Sequence, residues 1–153
     1  MEDEAQFSGP RTYAANLGGG DGDDHIVGSA FGERIDGGPG RDRIDGGPGY
    51  DWLFGGEGDD ELAGGDSQDI LNGEDGDDSL DGGAGEDELW GGPGGDRLAG
   101  GPDRDSVDYS PRAGAVTVSF EGVANDGEAG ERDDLVGDVD LVKATPGDDR
   151  LDA

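Results

Sequence analysis

The chain is 153 residues long, carries 40 Asp plus Glu against 10 Lys plus Arg, and has a formal net charge of −30. That charge repels phosphates and anionic headgroups, which excludes nucleic acid and membrane surfaces as partners and invites cations. Cysteine is absent and hydrophobic residues make up 29%, which excludes a disulfide framework, a thiolate metal site and a thick globular core.

Residues 1–18 form an N-terminal flank or cap. The opening "MEDEAQFSGPR" is acidic and has no apolar stretch, so it is no signal peptide, and an export signal is expected to lie outside this chain. No run approaches the length of a membrane span, so membrane insertion is not expected. "RTYAANL" reads as a cap, with Leu17 in phase with the aliphatic column that follows.

Residues 19–108 are ten nonapeptides without a gap. Place 1 is glycine in all ten. Place 2 is glycine except at Ser29 and Glu74, and place 4 except at Phe31, Ser67 and Asp103. Place 6 is Asp24, Asp42, Asp51, Asp60, Asp69, Asp78, Asp87, Asp96 and Asp105, with Glu33 as the exception. Place 8 is always aliphatic: Ile26, Ile35, Ile44, Leu53, Leu62, Leu71, Leu80, Leu89, Leu98 and Val107. Disordered acidic tails do not hold such a register. Glycine permits sharp turns and close backbone approach at least cost.

The pattern resembles the RTX, or haemolysin-type calcium-binding, nonapeptide family. The resemblance implies an all-β fold, a right-handed parallel β-roll of about five turns with a β-rich C-terminal flank. It implies that two nonapeptides make one turn, the first six places forming a loop and the last three a strand. Loops on one edge then lie two repeats apart. It also implies the ligands: carbonyls at places 2 and 4 of one loop, carbonyls at places 1 and 3 of the next, and both aspartates.

Carried over, the odd edge has four sites. The first is Gly20, Gly22, Asp24, Gly37, Pro39 and Asp42, and the second Gly38, Gly40, Asp42, Gly55, Glu57 and Asp60. The third is Gly56, Gly58, Asp60, Gly73, Asp75 and Asp78, and the fourth Glu74, Gly76, Asp78, Gly91, Pro93 and Asp96. The even edge has three. These are Gly47, Gly49, Asp51, Gly64, Asp66 and Asp69; Gly65, Ser67, Asp69, Gly82, Ala84 and Asp87; and Gly83, Gly85, Asp87, Gly100, Pro102 and Asp105. The repeat of Glu33 departs at places 2, 4 and 6 together, so its loop is expected to be deformed and its gap to lack a sound site. About seven calcium ions are expected. They would offset roughly half of the formal charge of −30. A single file of ten aliphatics is too thin to order residues 19–108 alone, so folding is expected to depend on calcium.

Places 7 and 9 should point outward. The odd sheet then shows mostly polar residues. The even sheet gathers Trp52, Phe54, Ile70 and Trp90 near Arg34, an exposed apolar face that a flanking segment covers or that binds a protein or glycan partner. The single histidine, His25, takes an outward place, and the regular carboxylates belong to the repeat, so an enzyme is not expected.

Residues 109–143 read as an insert that caps the roll. "VTVSF" alternates like a strand, and "ANDG" and "AGE" read as turns. Asp126, Glu131, Asp133 and Asp134 are expected to be solvated turn residues rather than an extra cation site. Residues 144–153 restart the repeat, with Asp149 at place 6 and Leu151 at place 8, as if more repeats followed in a larger polypeptide. The reading is a calcium-binding structural module of a secreted, extracellular bacterial protein. The rival is an adhesion module that uses the aromatic face.

Overall fold

A computed structural model describes residues 15–111, 116–119, 127–128, 133–136, 139–146 and 148–152. Among these residues every regular element is a strand, and no helix is long and apolar enough to cross a membrane. The strands are numbered β1 to β16 in chain order. One sheet runs β1 (Ala15–Gly18), β3 (Glu33–Pro39), β5 (Trp52–Glu57), β7 (Ile70–Asp75), β9 (Glu88–Trp90), β11 (Asp105–Asp108) and β15 (Val139–Lys143). The other runs β2 (His25–Val27), β4 (Arg43–Pro48), β6 (Glu61–Asp66), β8 (Ser79–Ala84), β10 (Arg97–Ala99) and β14 (Asp134–Val136).

Neighbours within each of these sheets are parallel, and the register repeats the nonapeptide. Arg34 faces Trp52, Ile35 faces Leu53 and Asp36 faces Phe54; Leu53 in turn faces Leu71. The chain therefore alternates between two sheets and climbs one strand per pair of repeats. This is a β-solenoid of about five turns over the repeats, in which each turn rests on its neighbours.

The core is the place-8 column. Ile35, Ile44, Leu53, Leu62, Leu71, Leu80, Leu89, Leu98 and Val107 are all buried. Ile26 and Leu17 are partly buried against them, at the N-terminal end. Each buried aliphatic contributes about 1.5–3 kcal/mol. With one such residue per repeat, the two sheets share a core one side chain deep.

Strands β3 to β8 are longer than the three places expected, whereas β2, β9 and β10 span those three places. β4 to β8 each run six residues, on through places 1 to 3 of the next repeat, where Gly47 pairs with Gly65 and Pro48 with Asp66. Glycines without side chains let successive loops lie close enough to keep the ladder going.

The insert extends both sheets. β14 pairs with β10, Leu98 facing Leu135, and β15 pairs with β11, Val107 facing Val142 across a bulge beside Asp105. Lys143 fixes β15 in place by pairing with Glu88 and by lying 3.3 Å from Asp108. Tyr109, buried, donates its amide to the Lys143 carbonyl at 2.8 Å. A third sheet joins β12 (Val116–Ser119) to β13 (Gly127–Glu128) and β16 (Arg150–Asp152). Val118 of "VTVSF" faces Leu151 of the restarted repeat. Phe120, "AGE", most of "ANDG" and residues 1–14 lie outside the described residues.

Candidate metal sites

The place-6 carboxylates are positioned by the strand that each one opens. Each precedes the inward aliphatic by two residues, so it shares the inward side but sits at the loop. On the odd edge the amide of Asp24 donates to Oδ1 of Asp42 at 2.8 Å, Asp42 to Asp60 at 2.7 Å, Asp60 to Asp78 at 2.9 Å and Asp78 to Asp96 at 3.0 Å. On the even edge Glu33 donates to Asp51 at 2.7 Å, Asp51 to Asp69 and Asp69 to Asp87 at 2.8 Å, and Asp87 to Asp105 at 3.0 Å. Two ladders of carboxylates thus run the length of the array.

The second oxygen is different. Oδ2 of Asp24, Asp42, Asp51, Asp60, Asp69, Asp78 and Asp87 is buried and accepts no hydrogen bond. A buried carboxylate oxygen left so is costly, unless a cation or a proton meets it.

Other oxygens stand near. A Cβ on Gly19 would lie 2.6 Å from Oδ2 of Asp24 and 2.6 Å from the Gly37 carbonyl. On the even edge a Cβ on Gly82 would lie 2.6 Å from Oδ2 of Asp87 and 2.6 Å from the Gly100 carbonyl. Place-1 glycine is therefore required for space: a side chain there would fill the cradle where carboxylate and carbonyl meet. Places 2 and 4 need glycine for the backbone, with φ of 106° at Gly20 and 108° at Gly22. Their amides donate to the Gly37 and Pro39 carbonyls at 3.0 and 2.7 Å, which stacks one loop on the next.

Burial raises the pKa of Asp51, Asp60 and Asp87 to about 6, of Asp78 to about 7 and of Asp69 to about 8. The amide each accepts from the carboxylate residue before it opposes the rise, and neighbouring carboxylates add to it. No trio of His, Cys, Asp or Glu side chains gathers among the described residues. The donors are single carboxylates and main-chain carbonyls, all oxygen, which suits a hard cation such as calcium and not a softer metal that favours nitrogen or sulfur.

Departures from the pattern fall into two kinds. Ser67, Glu74 and Asp103 adopt the glycine backbone, with φ of 87°, 72° and 85°. Ser29 and Phe31 do not take positive φ, and Ser29 bonds Glu33 through both its amide and its hydroxyl.

The insert corrects one expectation. Asp133 is fully buried and accepts the Asp96 amide through Oδ1 at 3.0 Å, so it continues the odd column and is no solvated turn residue. Asp140 accepts the Asp105 amide at 3.3 Å and continues the even one. The signal was present in "DDLV" and "DLVK", an aspartate two residues before an aliphatic, but without the glycines that mark the other loops. Asp134 is half-buried, while Asp126 and Glu131 lie outside the described residues.

The aromatic face also differs from expectation. Trp52, Phe54, Ile70 and Trp90 gather on one sheet but are half-buried. Trp52 and Phe54 meet edge to face at 6.4 Å, and the Arg34 guanidinium lies 4.3 Å above the Phe54 ring. Among the described residues the exposed large hydrophobics are Val27, Phe31 and Leu141 instead. His25 is exposed, as its outward place requires.

A family model for the RTX calcium-binding nonapeptide repeat matches the chain in four overlapping copies, over residues 18–53, 36–71, 54–89 and 72–107. No curated protein matches it.

Proposed function

As the chain belongs to the RTX calcium-binding nonapeptide repeat family, we propose that it is a structural module that folds on binding calcium outside the cell, within a larger secreted bacterial protein. One observation carries the reading. The aspartates whose buried Oδ2 accepts no hydrogen bond include Asp24, Asp42, Asp60 and Asp78 on the odd edge and Asp51, Asp69 and Asp87 on the even edge. Each is the first carboxylate of one of the seven expected sites.

In each site the first loop contributes its aspartate and the carbonyls of places 2 and 4. The second contributes its aspartate and the carbonyls of places 1 and 3. On the odd edge these are the sets from Gly20, Gly22, Asp24, Gly37, Pro39 and Asp42 up to Glu74, Gly76, Asp78, Gly91, Pro93 and Asp96. On the even edge they run from Gly47, Gly49, Asp51, Gly64, Asp66 and Asp69 up to Gly83, Gly85, Asp87, Gly100, Pro102 and Asp105. Bound calcium supplies positive charge to columns of buried carboxylates that otherwise repel. The chain's part is to hold those oxygens in place and to keep side chains out of the cradle. The role is that of a scaffold and not of a catalyst. On the aromatic face Trp52 packs against Phe54 and Arg34 lies over it, and no specific observation favours the adhesion reading.

The test is far-UV circular dichroism during a calcium titration, beside magnesium. A cooperative coil-to-β change with calcium and little with magnesium supports the proposal. A chain already folded in chelator would refute calcium-driven folding, and one that binds no calcium would refute the whole reading.

A further inference from the structure

Two loops treat their carboxylate unlike the rest. Ser29 and Glu33 occupy places 2 and 6 of one repeat. Thr145 and Asp149 occupy the same two places of another. The Ser29 hydroxyl donates to Oε1 of Glu33 at 2.6 Å, and its amide donates to Oε2 at 3.0 Å. The Thr145 hydroxyl donates to Oδ1 of Asp149 at 2.7 Å. In the preceding repeat the place-2 amide, that of Gly20, goes to the Gly37 carbonyl of the next loop. Neither Ser29 nor Thr145 has the positive φ of Gly20.

Their neighbours share a feature. Glu33 pairs with Ala15 of β1, which has no carboxylate. Asp149 accepts the amide of Val116 at 3.0 Å, again from a residue without one. The gap on that side lacks the second charge that a divalent ion between two loops draws on, whereas on its other side Glu33 meets Asp51, to whose Oδ1 its amide donates at 2.7 Å. The carboxylate still needs donors where it is buried, and Glu33 is 1% exposed.

We infer that Ser29 and Thr145 act as ion-free stays: a place-2 hydroxyl takes over the cation's part and closes its loop from within. The Glu33 loop does not fit an ion, because hydrogen bonds from Ser29 engage both carboxylate oxygens. Calcium loading of the even edge then begins at the Asp51 loop. Ser29 marks where the even ion column starts, and in the folded chain both hydroxyls brace their loops without an ion.

The inference rests on the calcium reading above, and one experiment separates their failures. Native mass spectrometry of the whole chain in calcium counts bound ions for the unaltered protein, Glu33→Gln and Ser29→Ala, with urea unfolding in calcium alongside. Both variants should bind as many ions as the unaltered chain. Ser29→Ala and Thr145→Val should unfold at lower urea. One ion fewer in Glu33→Gln would make Glu33 a ligand and overturn the inference. So would an unchanged urea midpoint in both hydroxyl variants. If Glu33→Gln does not fold, Ser29→Ala still decides, since it keeps the carboxylate. No ion bound to the unaltered chain would overturn the calcium reading itself.

Discussion

The amide of Asp96 donates to Oδ1 of Asp133 over 3.0 Å and across 37 residues of sequence, where the earlier links of that column span 18. The column therefore leaves the regular array and ends in the insert. With the partner strands β10 and β14 in register, Leu135 closes the core over Leu98. The sheet edge that the last regular repeat would otherwise present is covered.

Replacing Asp133 with alanine should leave the Asp96 amide buried without this acceptor. The expected loss is about 1–3 kcal/mol. Urea unfolding in saturating calcium measures it, with exposed Asp148→Ala as the comparison. Equal midpoints for the two variants would mean that β14 does not stabilise the odd sheet.

Acid should stabilise the metal-free roll. The native carboxyls of Asp51, Asp60, Asp69, Asp78 and Asp87 titrate at about 6 to 8, above their ordinary 3.8. Between those values the folded state binds more protons than the unfolded one. Stability is then full below about pH 4 and is lost as pH rises through 6 to 8. In EDTA the β signal should be stronger at pH 5 than at pH 9, and a signal that grows with pH would contradict this. Calcium affinity should run the other way, rising with pH as binding displaces those protons.

Gly82→Ala places a methyl 2.6 Å from Oδ2 of Asp87 and from the Gly100 carbonyl. It should remove one bound ion and raise the calcium midpoint. Ion counting by native mass spectrometry checks it, and an unchanged count would show that the cradle is not the binding site.

Trp52→Ser removes a half-buried ring packed against Phe54 and bonded to the Tyr50 hydroxyl at 3.1 Å. About 1–2 kcal/mol of stability should go, with the ion count unchanged. Urea unfolding followed by the fluorescence of the remaining Trp90 reads the effect. No loss of stability would return the face to the role of a docking surface.

The regular array could be read from the chain because its contacts are local in kind. Each repeat meets copies of itself, so the period sets the aliphatic column, the two sheets and the carboxylate ladders together. Leu53 facing Leu71 and the amide of Asp51 reaching Asp69 are both consequences of stepping by 18. The glycines were legible as residues, but half of their reason was not. Places 2 and 4 need the backbone, whereas place 1 needs an empty volume beside Asp24 and Gly37 that exists only once two loops stack.

The sequence by itself determined the repeat, its inward column and the acidic edges, because a period of nine leaves one way to bury the aliphatics. Tertiary structure alone decided how the roll is closed and where its carboxylate columns end. Asp133 and Asp140 join their columns by pairing with strands distant in sequence, on loops without the glycine signature. Ser29 and Glu33 look like mere departures until folding turns the hydroxyl and amide of one onto the carboxylate of the other. Such contacts depend on which surfaces remain unpaired after the repeats have stacked, and periodicity holds no record of that.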